Sequence, residues 1–281
     1  MRLACSLSDL METCYRHPDR ETRVSCSNCE RPICPDCMTS TPVGMRCPEC
    51  AKQKTRVTRG TASFGQSAAM PVTYFLIGVN VVAYLIELAS GSGGLSGGGK
   101  VVLNYGLYSP AVADGEWYRL VTNGFLHANL LHIGLNMYFL WFLGQLLEPA
   151  LGHVRFAVLY FACLLAGSLG VVVLEPNTLA VGASGAVFGL MAAGFVIARG
   201  RRIDWIATQL GILLVLNIVL SFGSARIAIG AHLFGAAAGL LAGLLVLAGD
   251  RESLGPNRVA VETAALAILG IVSFFAAIAL A

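Results

Sequence analysis

After Pro71 the chain is dominated by seven apolar stretches, at 72–90, 129–148, 154–174, 182–199, 204–222, 229–248 and 259–280. About 20 helical residues cross a bilayer, so each stretch is read as a transmembrane span. In lipid the backbone must satisfy its own hydrogen bonds, which leaves helices as the only plausible form for stretches of this length. Turn-forming and basic segments separate them: Glu175-Pro176-Asn177, Arg199-Gly200-Arg201-Arg202, Ser221-Phe222-Gly223-Ser224, and Gly249-Asp250-Arg251 through Gly255-Pro256-Asn257-Arg258. The expected fold is therefore an all-α membrane protein of six spans plus one C-terminal span. A composition of 56% apolar and 12% charged residues, with mean hydropathy +0.70, excludes an ordinary soluble domain. The net charge of +3 is small and lies in loops, which excludes nucleic acid as a partner.

Those cations set the orientation. Lys52, Lys54, Arg56, Arg59, Arg155, Arg199, Arg201, Arg202, Arg251 and Arg258 fall on one side under this span count, against Lys100, Arg119 and Arg226 on the other. The N-terminus is expected in the cytoplasm of a multi-pass cell-membrane protein. Residues 1–60 hold no long apolar region with a cleavage site, so the first span is expected to act as the insertion signal.

Spans two, four and six then enter from the outer face, and His132, Ser184 and His232 lie near their beginnings, at one depth toward the outer leaflet. Ionisable groups at depth are costly and mark function by default. A serine hydroxyl becomes a nucleophile when a base takes its proton, and histidine suits that task near neutrality. Ser184 and His232 are thus the candidate catalytic pair, a dyad, since no Asp or Glu lies in the apolar spans near His232. Phe188, one helical turn after Ser184, is placed to stack on the imidazole, which packing would then orient. His132 and Asn136 share a helical face and, with the Ser184 backbone N–H, are candidate oxyanion donors. Asn136 could instead bond to a neighbouring helix. His127 is assigned support or water access at the entrance. Gly185 and Gly189, facing Gly235 and Gly239, form small-residue stripes that would let spans four and six approach closely, a device that packing alone also explains.

Together, Gly182-Ala183-Ser184-Gly185, Ala231-His232-Leu233-Phe234-Gly235 with Gly239, and His127 spaced before His132 and Asn136 resemble the rhomboid intramembrane serine proteases. The resemblance covers about residues 70–250 and takes in Glu116 and Arg119 in the first loop, and Gly144 with Glu148. It implies a rhomboid-like six-helix bundle that hydrolyses peptide bonds in or beside transmembrane helices of membrane-protein substrates. It further implies a first loop that braces the bundle and is held by Arg119. Tyr118 stands where the family usually has Trp, with Trp117 one position earlier, and Phe188 replaces a frequent Tyr.

Eight of the nine cysteines precede residue 60. Cys14/His17, Cys26/Cys29, Cys34/Cys37 and Cys47/Cys50 have metal-ligand spacing, enough for two structural zinc ions. Disulfides are the competing reading, disfavoured in a reducing cytoplasm. Spacing does not pair the ligands; a cross-braced arrangement would put Cys14, His17, Cys34 and Cys37 on one ion and Cys26, Cys29, Cys47 and Cys50 on the other. The segment weakly resembles B-box or RING-like modules, which suggests a protein partner. Cys163 reads as a buried apolar residue.

The expected organisation is an upstream extension at 1–10 including Cys5, with Met11 a candidate start; a zinc domain at 11–51; a basic linker at 52–70 lying on anionic headgroups; the protease core at 71–250; and a C-terminal helix within 251–281 that anchors. Zinc is not expected in catalysis. Two other readings stay open: an inactive rhomboid-like factor that binds membrane proteins or acts in their quality control, and a transporter, which the scarcity of acidic residues in the spans disfavours.

Overall fold

The computed structural model describes residues 12–41, 44–52, 69–91, 99–223, 228–251 and 257–281. The expected extension with Cys5 and Met11, most of the basic linker, the glycine-rich 92–98 and the turn at 252–256 lie outside the described residues. The chain divides into two compact units, Met1–Gly60 and Thr61–Ala281.

The first unit is built from short pieces, because a segment this small has little apolar side chain to bury. Strands β1 (Glu12–Cys14) and β2 (His17–Thr22) form one antiparallel hairpin, and β3 (Thr39–Thr41) and β4 (Gly44–Arg46) form another. A 3-10 turn at Pro35–Cys37 and helix α1 (Pro48–Lys52) complete it. Among the described residues β structure is confined to this unit, apart from an isolated bridge between Leu107 and Ala180, so the all-helical description holds for the described membrane unit.

The second unit contains α2 (Pro71–Ala89), α3 (Lys100–Tyr105), α4 (Ser109–Ala113), α5 (Arg119–Thr122), α6 (Leu130–Leu151), α7 (His153–Leu174), α8 (Ser184–Gly200), α9 (Asp204–Phe222), α10 (Ile229–Arg251) and α11 (Arg258–Leu280). Among the described residues six helices, α2, α6, α7, α9, α10 and α11, are long and apolar enough to cross a membrane. The remaining apolar helix, α8, has 17 residues. At 1.5 Å per residue it is about 25 Å long, less than the hydrocarbon thickness of about 30 Å. It begins two residues later than the apolar pattern suggests, because Gly182 has φ +129°, which a helix does not accept. The non-helical approach to it is satisfied by protein. Leu107 and Ala180 exchange two backbone bonds of 2.9 Å, and the Gly182 N–H donates to the Asn123 carbonyl at 2.9 Å.

Helix α8 is central. Its Gly185, Gly189, Ala192 and Ala193 side is buried, and α10 packs directly on it. A methyl on Gly235 would strike the Gly185 carbonyl, and one on Gly239 the Gly189 carbonyl, so the two backbones touch. Cys163 of α7, fully buried, fills the space beside Gly189, as expected of an apolar residue.

Polar groups close the ends of the bundle. Glu148 of α6, fully buried, accepts from the Val72 and Thr73 N–H groups at 3.0 and 2.9 Å and from the Thr73 hydroxyl at 2.5 Å, capping α2 across the bundle. The last helix does more than anchor. Glu262, 3% exposed, pairs with Arg155 of α7 and with Arg258, while Asp250 of α10 pairs with Arg258 and Arg201. One ionic cluster thus ties α11 to α7 and α10.

Candidate active site and metal centres

Asn129 ends the approach to α6 by accepting the His132 N–H at 2.9 Å through its side chain, an N-cap that fixes where the helix begins. His132 and Asn136, one turn apart, are thereby aimed inward. Ser184 is the first residue of α8, so no carbonyl four residues back within the helix meets its N–H. His232 lies three residues into α10, whose start is held by Glu175: the Ile229 and Gly230 N–H groups each donate to its carboxylate at 3.0 Å.

These helices bring Ser184 and His232 together. Ser184 Oγ lies 2.8 Å from His232 Nε2, within the range for direct proton transfer. The Phe188 ring stacks on the imidazole, centroids 4.0 Å apart and planes 10° from parallel. His232 is 7% exposed. The expectation that packing alone orients this ring is corrected, because Ser221 Oγ lies 2.7 Å from His232 Nδ1. Ser221 and Glu175 went unnoticed in the sequence, where both read only as punctuation between spans.

His132 reaches the same space. A methyl on Gly182 would lie 2.7 Å from His132 Nε2 and 3.6 Å from Ser184 Oγ, so imidazole and hydroxyl flank one small gap that only glycine leaves open. Asn136 donates to the His132 carbonyl at 3.0 Å, a bond within its own helix rather than to a neighbour, and its amide retains a second N–H. His127 does not sit at an open entrance. It is fully buried, its ring edge-on to His132 at 5.1 Å, and neither ring nitrogen has a partner among the described residues. Its backbone N–H donates at 3.1 Å to Glu87, a buried carboxylate of α2 that the sequence reading also passed over. Gly185, Gly235 and Gly239 lie in the α8–α10 contact beside the pair.

Arg119 is buried at the centre of the first loop. It donates to the Leu103 and Gly106 carbonyls, both at 2.7 Å, and to Glu116 at 2.5 Å. The Arg119 hydrogen bond holds the Glu116 carboxyl below its usual range, helped by the Tyr118 hydroxyl. Asn123 links this loop to α7 by donating to the Arg119 carbonyl at 2.7 Å and to Ser168 Oγ at 3.0 Å.

In the first unit the eight ligand candidates gather into two groups, Cys14, His17, Cys34 and Cys37, and Cys26, Cys29, Cys47 and Cys50, with the ligand atoms of each group within 4.8 Å of one another. His17 Nδ1 lies 3.3 Å from Cys34 Sγ and 3.4 Å from Cys37 Sγ, and Cys29 Sγ lies 3.8 Å from Cys47 Sγ. A tetrahedron of thiolates bonded at about 2.3 Å has edges of about 3.8 Å, so both groups fit a four-coordinate zinc. The described cysteines form no disulfide. The thiolates find donors in the Cys47 N–H to Cys26, the Cys50 N–H to Cys47, and Arg31 to Cys29, each at 3.3 Å.

The family model for the rhomboid domain matches residues 114–249. The putative rhomboid protease YdcA of Bacillus subtilis (strain 168) is 37% identical over 142 residues, 49% of this chain and 71% of that protein. Rhomboid protease GluP of the same organism is 29% identical over 186 residues, 64% of this chain and 36% of GluP. Rhomboid-like protease 3 of Toxoplasma gondii is 34% identical over 147 residues, 50% of this chain and 54% of that protein. The chain thus spans a good third of GluP and about half of the Toxoplasma protein. With seven apolar helices among its described residues, this multi-pass membrane protein belongs to the rhomboid family.

Proposed function

We propose that the protein is an intramembrane serine endopeptidase that hydrolyses peptide bonds in or next to transmembrane helices of membrane-protein substrates. The observation that carries this reading is the 2.8 Å approach of Ser184 Oγ to His232 Nε2 at the start of α8. In the proposed reaction His232 takes the hydroxyl proton as the Ser184 oxygen pair attacks the substrate carbonyl, whose π pair moves to its oxygen. His132, the Ser184 N–H and the second Asn136 N–H are the proposed donors to that oxyanion. Nε2 then protonates the leaving amine as the C–N bond breaks, and water admitted from the outer aqueous side attacks the acyl-enzyme, giving its proton to Nε2, which passes it to Ser184 Oγ as the ester bond breaks and the carboxyl product leaves. A helix hides its carbonyls in internal bonds, so the favoured substrates unwind easily near the cut, with a small residue before it.

The basic loops support a cell-membrane placement with the N-terminus in the cytoplasm and the site opening outward. The two four-ligand groups support two structural zinc ions, one held by Cys14, His17, Cys34 and Cys37 and the other by Cys26, Cys29, Cys47 and Cys50. Bound zinc would supply folding energy to a small cytoplasmic domain, spanning about 11–51 and suited to engaging a protein partner, and no step of the peptide chemistry calls on it.

The test is a serine-directed fluorophosphonate probe applied to membranes, alongside cleavage of a transmembrane reporter. Wild type should label at Ser184 and cleave; Ser184→Ala and His232→Ala should do neither. Equal behaviour of all three would end the protease reading, and a wild type that binds reporter without cutting would replace it with the binding-only relative.

A further inference from the structure

His232 makes two polar contacts, and only the one to Ser184 belongs to the peptide chemistry. The other, from Nδ1 to Ser221 Oγ, is equally short at 2.7 Å. Ser221 lies in the last turn of α9, is 4% exposed, and donates its hydroxyl to the Asn217 carbonyl at 2.7 Å. A serine hydroxyl carries one hydrogen, and a carbonyl has none to give. Once that hydrogen lies on Asn217, the Ser221 oxygen meets His232 only as an acceptor, and Nδ1 must bear the imidazole proton. A neutral imidazole has one N–H, so Nε2 is left bare toward Ser184.

We propose that Ser221 is a positioning residue that holds His232 in the Nδ1–H tautomer, the form in which Nε2 can take the Ser184 proton. The proposal rests on the reading of Ser184 and His232 as nucleophile and base. In the opposite tautomer Nε2 would itself be a donor, the geometry would look the same, and proton transfer from Ser184 would stop.

The same contact acts after the proton has moved. The imidazolium has two N–H donors, and Nδ1–H already points at an oxygen whose own hydrogen is anchored on a helix carbonyl. Ser221 stands one residue before the end of α9, where unpaired carbonyls carry the negative end of the helix dipole, which favours a nearby cation. A carboxylate in this place would have to be buried at membrane depth, at a desolvation cost that a hydroxyl backed by a helix terminus does not incur. Ser221 is also an outlier on its helix. The other buried residues of α9, Ile206, Ala207, Leu210 and Leu214, lie in its first eleven positions, while Val215, Leu216, Val219, Leu220 and Phe222 are exposed. Beyond Leu214, α9 therefore buries one residue, and that residue reaches the base.

The experiment uses the full chain in proteoliposomes, comparing wild type, Ser221→Ala, Ser221→Thr and Ser184→Ala. Reporter cleavage gives kcat and KM, and 15N NMR of labelled histidine gives the His232 tautomer, assigned by its loss in His232→Ala. Expected are an Nδ1–H signal in wild type, a mixture of tautomers in Ser221→Ala, and a fall in kcat of about tenfold or more with KM unchanged, as loss of one hydrogen bond would give. Ser221→Thr, which keeps the hydroxyl, should return the wild-type tautomer. A wild type in the Nε2–H form, a Ser221→Ala protein with wild-type kcat, or a slowed one whose tautomer is unaltered would each overturn the proposal. Cleavage that survives Ser184→Ala would instead overturn the protease reading, leaving the tautomer measurement to stand by itself.

Discussion

In the N-terminal unit the buried cluster consists of Ile33 and six cysteines, Cys14, Cys26, Cys34, Cys37, Cys47 and Cys50. In the membrane unit it is a continuous body of Leu, Phe, Ala and Val from α2 and α6–α11, with Tyr160 and Phe156 fully buried. The side chains that hold the first together are candidate metal ligands; those that hold the second are apolar packing. Each unit therefore exposes its purpose through what its interior does not explain. In the module that is little beyond the ligands. In the membrane body it is a short set of buried polar groups, among them Glu87, His127, Asn136, Ser221 and His232.

Zinc removal tests this contrast with the largest expected effect. Structural zinc contributes on the order of 10–16 kcal/mol of apparent binding energy in small finger peptides at pH 7, more than one Ile and a few short strands can supply. Chelation of the full chain should make residues 12–52 sensitive to protease while the thermal unfolding of the membrane body stays where it was. Metal analysis beforehand should give about two zinc ions per chain. Protease resistance that survives chelation would put the two units on the same footing and break the comparison.

The membrane body should instead respond to a single methyl. Gly239→Ala drives a Cβ into the Gly189 carbonyl, with backbone on both sides and nothing flexible to give way. Overpacking of this kind costs about 1–3 kcal/mol, and it moves the helix that carries His232. Gly78→Ala on α2, where an added Cβ meets nothing within 4 Å, is the matched control. Thermal unfolding and reporter cleavage should fall in the first variant and hold in the second. Equal tolerance at both positions would mean that the α8–α10 contact is looser than the backbone approach implies.

The same contrast governs what could be read from the sequence. Seven apolar stretches located the seven apolar helices directly, six of them long enough to cross a membrane, because lipid leaves one way to satisfy a backbone. The placement of His132, Ser184 and His232 at or near the beginnings of α6, α8 and α10 was legible too, since each follows a polar break in the apolar pattern. What escaped were contacts that depend on how loops return: Ser221 to Nδ1, Glu175 to the start of α10, Glu87 to the His127 N–H. None has a spacing signal, because each joins elements whose distance is set by packing. Zinc-ligand pairing was invisible for a related reason. Short spacing makes pairs, but the hairpin paths of β1–β2 and β3–β4 decide which pairs share a site.

The smallest effects belong to the first loop, which lies between the two cases: it is organised by one charged side chain, as the module is by ligands, yet it packs on the membrane body. Arg119→Ala removes the donor to the Leu103 carbonyl and the buried Gly106 carbonyl and should cost about 2 kcal/mol, read as a lower unfolding temperature. Glu116→Gln should cost less, because Glu116 is 42% exposed and solvent screens the pair. Its pH dependence is the sharper reading. The Arg119 bond lowers the Glu116 carboxyl in the folded state, so its contribution is complete above the unfolded carboxylate value of about 4.3 and is lost as pH falls through the lower folded value. The difference in unfolding temperature between wild type and Glu116→Gln should thus be steady from pH 7 to 5 and close below about pH 4. A difference that persists in acid would assign the loop's order to the two carbonyl contacts of Arg119, with Glu116 contributing shape rather than charge.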